Sequence, residues 1–491
     1  MRRRPARTIA VAGLVLLVLL VLLVFADLAF ARPGGGDSFS GGGGHGGDGG
    51  GDGGALLELL FHLIRLVFYY PKLGVPILGI VIAWVCYSAY KQHRNKDWDS
   101  GPPVELKHTI RLDDLRRVDP EFSQVLFEDF AFRLFSTAHR VRHAADTLAS
   151  VAPYVSEPAR AHLAARAPVG QRVESVVVGA MRVFQLELGE QRTQIGVELE
   201  ANVTTAQHTY YSVERWLFGR DAGRRSKPPG ASKGFPCPNC GAPWQSHATG
   251  TQVCASCGQV VDNGRFDWTV ESIALGSIDE RAPTLTNEVP ERGTDLPTYR
   301  QPDVDAQWLS LEADDPQITE QNLVARLAMI YQQLNAAWSN NELRPVRGLV
   351  SDGLYDYLQY WVEAYNRQGL RNQLTGMQIS HTIVAKVVRD HWYDAITIRL
   401  WAKGVDFVVH SKTGKVVRGS KHRERAYSEY WTLIRARGRT GAPRAQPVCG
   451  NCGAPLTITM AGECEHCGAH VTAGEFDWVL SKIEQDDTYR G

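Results

Sequence analysis

Apolar residues recur along the chain in two rhythms, and the order of those rhythms is repeated. Phe122, Leu126, Phe130 and Leu134 keep the spacing of one helix face, and Leu323, Leu327, Ile330 and Leu334 repeat it far downstream. Each copy is expected to hold a second helix, around 159–165 and around 354–365. Strand-like runs then follow at 174–188, 193–204 and 210–218, and again at 378–388, 395–409 and 426–435. Ile396, Ile398 and Leu400 alternate with Thr397, Arg399 and Trp401, which predicts a strand with unlike faces. Helices followed by a curved antiparallel sheet define an α+β fold.

Shared words mark the duplication. Asn239-Cys240-Gly241-Ala242-Pro243 recurs as Asn451-Cys452-Gly453-Ala454-Pro455, and Phe266-Asp267-Trp268 as Phe476-Asp477-Trp478. Glu214 and Trp216, two apart, recur as Glu429 and Trp431. Asp119-Pro120 and Asp315-Pro316 are each expected to open a helix, with Asp as N-cap and Pro at the first helical position. The expected domains are 110–277 and 316–486. Residues 278–315, rich in Asp, Glu, Pro and Thr, read as a linker.

The N-terminal patterning is different. Residues 1–31 join Arg2, Arg3 and Arg4 to an apolar run and an Ala29-Phe30-Ala31 site, which suits a signal peptide or an uncleaved signal anchor. A Gly-rich linker is expected at 32–54. Residues 55–92 read as an interfacial helix, with Glu58, His62 and Arg65 among leucines, and then a transmembrane helix. Lys91, Arg94 and Lys96 follow it and place the rest of the chain in the cytoplasm, at the inner (plasma) membrane.

Charge adds one exclusion. Lys plus Arg number 53 and Asp plus Glu number 53, a balance that disfavours a dedicated nucleic-acid binder.

The cysteines change the picture more. Eight of nine fall into Cys-x-x-Cys pairs: Cys237, Cys240, Cys254 and Cys257, then Cys449, Cys452, Cys464 and Cys467. Two knuckles a short spacer apart suit four thiolates around one Zn2+, so two structural zinc ions are expected, in ribbons at 235–262 and 447–473. Disulfides or a redox pair are the alternatives, and a reducing cytoplasm disfavours the first. Gly241, Gly258, Gly453 and Gly468 follow the knuckles, where a tight turn needs positive φ. His466 and His470 read as bystanders, and Cys86 as a membrane-buried side chain. Each ribbon lies between two strands and is expected to clasp a hairpin.

Other candidates are weaker. His139 and His143 stand one helical turn apart but have no third ligand, and read as a solvated flank. Asp129 reads as a polar residue of an outer stripe, and Trp216, Trp268, Trp431 and Trp478 as sheet core or pocket lining. No nucleophile–base set, phosphate loop or HExxH motif is present, so no catalytic residue and no enzyme activity is expected. A buried carboxylate paired with His or Tyr would instead favour a pocket enzyme. Basic clusters precede each ribbon: Arg220, Arg224, Arg225, Lys227 and Lys233, then Arg435, Arg437, Arg439 and Arg444. They read as a headgroup contact, a nucleic-acid contact or a solvated loop.

The order of signal-like start, Gly-rich linker, membrane segment and Asp119-Pro120-Glu121-Phe122-Ser123 helix resembles bacterial members of the Tim-forty-four-like domain family. Val213-Glu214-Arg215-Trp216 extends the resemblance, which is strongest over 115–275 and weaker in the second copy. It implies cone-shaped α+β domains similar to nuclear transport factor two, acting as membrane-associated scaffolds. A protein partner and anionic lipid are the partners it implies. The ribbons depart from the family pattern, as does the absence of a chaperone-recruiting region.

Overall fold

The computed structural model describes residues 69, 70, 76, 79, 83, 110–228, 235–245, 252–280, 294–459, 462–486, 488, 489 and 491. The expected signal segment, the Gly-rich linker, Cys86, Lys233 and nearly all of 55–92 lie outside them. Among the described residues no helix is long and apolar enough to cross a membrane.

The first unit opens with α1 (Asp113–Val118), α2 (Gln124–Val141), α3 (Ala145–Leu148), a 3-10 turn (Ala149–Tyr154) and α4 (Glu157–Ala164). Strands β1 (Val173–Leu188), β2 (Arg192–Thr205), β3 (Thr209–Asp221) and β4 (Thr269–Glu280) follow in a four-stranded antiparallel sheet in chain order. The second unit repeats this with α5 (Val304–Asp314), α6 (Glu320–Ser339), α7 (Asp352–Arg367), and β5 (Leu370–Arg389), β6 (Tyr393–His410), β7 (Val416–Ala436) and β8 (Val479–Gln485). The fold is α+β. Helix α5 occupies the end of the stretch that reads as a linker.

The helix starts are local chemistry. The Ser123 hydroxyl accepts from the Leu126 N–H at the start of α2, and Thr319 accepts from Asn322 at the start of α6. Asp119 and Asp315 are therefore not the N-caps that the Asp-Pro signal suggested. They stand one residue past α1 and α5, where their N–H groups close the helix on Leu115 and Leu311.

Each sheet buries one face under its helices. Phe127, Leu134, Phe135, Val197, Leu199 and Trp216 fill the first core; Leu327, Leu334, Trp361, Ile398, Leu400 and Trp431 fill the second. In each unit the residue two before the last helix, α4 or α7, is tied to the last strand by a one-residue parallel bridge, Val155 to Val270 and Val350 to Leu480. The units also pack on each other. Val125 and Leu126 of α2 rest on Tyr393, Ile434 and Val479, and the Trp392 indole donates to Glu121 O at 2.9 Å. Glu128, closed in by Gln124 and Lys482, forms an ion pair with Lys482 across the same interface.

Candidate metal centres and the buried glutamates

Both cysteine loops span the gap between the third and fourth strands of a unit. The first lies between β3 and β4, whose pairing ends at Gly219 opposite Thr269; the second lies between β7 and β8, with Ile434 opposite Val479. The hairpin-clasp reading of the sequence agrees with this placement.

Within a loop each knuckle is held by the same backbone bonds. Gly241 N–H returns to Cys237 O at 2.9 Å and Gly258 N–H to Cys254 O at 2.8 Å; Gly453 and Gly468 do the same to Cys449 and Cys464. All four glycines have φ near +70°, from 67° to 74°, which a Cβ would strain. The result brings four sulfurs together, all within 4.8 Å of one another in each loop. Cys237 to Cys257 and Cys240 to Cys254 are 3.8 Å apart; Cys449 to Cys467 is 3.9 Å and Cys452 to Cys464 is 4.0 Å. A tetrahedral ion with Zn–S bonds of about 2.3 Å separates its sulfurs by about 3.8 Å, whereas a disulfide needs about 2.05 Å. Both sets of cysteines fit one metal ion.

The surroundings are shaped for thiolate. Asn239 donates to Cys257 Sγ at 3.4 Å and Asn451 to Cys467 Sγ at 3.5 Å, a matched pair of outer donors. The Asn239 amide, with the Gln259 backbone N–H, draws the Cys257 thiol down to about 6. The Ala469 N–H and then Asn451 draw Cys467 to about 6 as well. Burial pushes Cys237 up to about 12. Sulfurs this close cannot all ionise beside one another, and a divalent cation removes that conflict. His470 is held by Glu475 at 2.8 Å and Thr472 at 3.2 Å, and neither it nor the exposed His466 joins the cluster of four sulfurs.

The loops are docked on the helices. Trp244 donates to Ala149 O at 3.0 Å, Arg160 reaches Asp262 at 3.3 Å, and Phe235 packs on Phe130 and Tyr154. In the second unit Leu456 and Ile458 press on Gly348 so closely that a Cβ there would meet them at 2.8 and 2.9 Å.

The Glu-x-Trp repeat marks a second kind of site. Strand periodicity puts both side chains on the helix-covered face. Glu214 and Glu429 are fully buried, and each accepts from the indole two residues on, Trp216 or Trp431, at 2.9 Å. In the first unit Glu214 also faces His139 Nε2 at 3.3 Å, Arg166 at 3.3 Å and the Ser212 hydroxyl at 3.3 Å. Burial alone would raise this carboxyl, but His139 and then Arg166 and Trp216 hold it at about 2. His139 is thus a core residue, 1% exposed and stacked on Trp216, not a solvated flank. Counting from the N-caps Ser123 and Thr319, the position of His139 is taken by Asn335 in the second unit. His143 points elsewhere, to Arg140 O, and shares no ligand cluster with His139. Asp129 pairs with Arg133 on the surface, as an outer-stripe residue should. All four tryptophans are core.

The basic clusters divide. Arg220 and Arg435 are 2% exposed and bound to Asp119 and Asp315, so they cannot reach a headgroup or a phosphate. Arg224, Arg225, Lys227, Arg437 and Arg439 are exposed. Lys227 pairs with Asp267 at 3.0 Å. The sequence reading missed the partners of Glu214, although a Glu two residues from a core Trp on one strand must be buried too.

These features define a duplicated α+β protein whose units each carry a four-cysteine centre. Residues 308–444, which span most of the second unit, match the Tim44-like domain family. The match falls there and not on 115–275, where the motifs pointed most strongly. No curated protein matches the chain. A solved structure titled "Ntf2 like protein involved in plasmid conjugation" is 8% identical, covering 74% of this chain and 97% of that one with a TM-score of 0.16. The fold described above rests on strand order and helix packing alone.

Proposed function

We propose that the protein is a membrane-anchored scaffold or binding protein, its two cone-shaped units each braced by one structural Zn2+ and facing the cytoplasm at the inner membrane. The Tim44-like match of the second unit carries this reading. The apolar N-terminal segments expected from the sequence supply the anchor, and four-thiolate zinc sites suit a reducing compartment. Tethering would act by raising the local concentration of a binding surface at the bilayer.

The pocket-enzyme alternative needs a buried carboxylate beside a histidine, and Glu214 with His139 supplies the pair. Their setting favours a structural role. Both are at most 1% exposed, and the carboxylate is engaged by Trp216, Ser212 and Arg166 as well as His139. Two surface clefts, of about 230 and 480 Å3, are lined by other residues, among them Arg300 and Trp308 or His208 and Arg367.

Affinity capture of the detergent-solubilised chain, with mass spectrometry of proteins and lipids, tests the scaffold reading. A specific companion is expected; recovery of none overturns it.

A further inference from the structure

Strands β6 and β7 run past the end of the repeated fold. Trp431 lies opposite Ile398 as Trp216 lies opposite Val197, which aligns the sheets. From that common point β2 and β3 turn back at Thr204 and Thr209, whereas β6 and β7 continue to His410 and Val416. The extra length forms an arm at the end of the sheet away from the cysteine loop.

The arm is basic. Residues 405–425 hold Lys412, Lys415, Arg418, Lys421, Arg423 and Arg425 against Asp406 and Glu424, in a chain with no net charge. Asp406 is buried on Asn372, and Glu424 pairs with Lys403 at 3.1 Å, so neither acid faces outward alone. Lys412, Lys415, Arg418 and Lys421 are exposed, and Val417 between them is 49% exposed.

We infer that this arm is a docking surface for an anionic lipid bilayer. Three observations select that occupant. First, residues 420–423 of β7 bulge opposite a single residue of β6, and lysines line the strand, both of which oppose addition of a peptide strand. Second, the arm exposes no Phe, Tyr or Trp, its Phe407 being buried. Apart from the imidazoles of His410 and His422 it therefore lacks the stacking platform of a single-strand binder. Third, exposed Val417 among cations matches a headgroup layer, which takes charge and a small apolar group together. Each cation near an anionic surface strengthens binding about fivefold. The inference rests on the membrane-anchored reading, because the anchor would hold the arm near the bilayer.

The test is hydrogen exchange of the full chain reconstituted into vesicles of phosphatidylcholine alone or mixed with phosphatidylserine. Amides of residues 411–425 are expected to slow several-fold in the mixed vesicles only, and to recover at high salt. The combined variant Lys412→Gln, Lys415→Gln, Arg418→Gln and Lys421→Gln is expected to lose that protection while β5 and the core of β6 stay protected. Equal exchange of the arm in both vesicles, with the chain floating with them, overturns the inference and leaves the anchor intact. Protection by soluble DNA with none by phosphatidylserine also overturns it, in favour of nucleic acid. Failure of the chain to float with either vesicle overturns the membrane reading and the inference with it.

Discussion

Arg220 donates to Asp119 at 2.5 Å from a position 101 residues away, and its guanidinium stacks 4.3 Å from the Trp268 ring. Arg435 repeats both contacts, with Asp315 at 2.9 Å and Trp478 at 4.7 Å. The acid follows the first helix of a unit, the arginine ends the strand entering a cysteine loop, and the tryptophan precedes the strand leaving it. Two repeated words of the sequence and one arginine from each basic cluster thus meet in one buried knot. The acid also takes a loop N–H in each unit, from Ser226 or Gly441.

Breaking that knot on one side should be severe. Asp119→Ala leaves a buried guanidinium without its anion, and urea unfolding is expected to show a loss of about 3–5 kcal/mol. Asp119→Leu combined with Arg220→Met should recover much of it. A loss below about 1 kcal/mol for the single change would place the pair among weak surface bridges.

Glu214 predicts a pH dependence. Its folded carboxyl titrates at about 2 against an ordinary value of 4.5. A depressed folded value stabilises the protein above the unfolded value, and that stability is lost as pH falls from about 4.5 towards 2. Linkage puts the contribution on the order of 3 kcal/mol. Denaturant midpoints of the parent should fall more steeply over this window than those of Glu214→Gln; parallel curves would refute the assignment.

Two metal ions per chain are expected by elemental analysis of protein purified without chelator, and one in Cys240→Ser or in Cys452→Ser. Because Trp244 and Phe235 dock the first loop on the helices, its loss should loosen the Ala149–Tyr154 turn as well as the adjoining ends of β3 and β4. Unchanged exchange in both places after metal removal would deny the loop a bracing role.

Leu126→Asp probes the contact between units. A charge facing Tyr393, Ile434 and Val479 should weaken that contact by about 1–3 kcal/mol and split thermal unfolding into two transitions. A single unshifted transition would show that the units stand without it.

The elements were legible where one signal dominated. Ile396, Ile398 and Leu400 alternate as a strand because one face is core, and the cysteine spacing carries its own geometry. The misreadings have a common cause. Asp119-Pro120 and Asp315-Pro316 satisfy the local rule for a helix start, but burial against arginines on the third strand of each sheet decides their place. His139 looks like a surface residue beside His143, and only the fold brings Glu214 to it. The cations before the loops look alike in sequence, yet Arg220 and Arg435 are core residues and their neighbours are surface. The arm escaped notice because 416–425 carries Gly419 and a run of cations with no apolar alternation, so the pattern predicts a strand only from 426, whereas it begins at Val416.

Strand β7 is one element of 21 residues, fixed at its C-terminal end beside a four-cysteine loop and, among the described residues, free of an outer neighbour strand before Glu429. At about 3.3 Å per residue it spans up to roughly 70 Å, less its bulges. It therefore serves as a ruler. Whatever grips the arm is held at a set distance from whatever touches the cysteine loop, and shortening the hairpin would bring two otherwise separate contacts into competition.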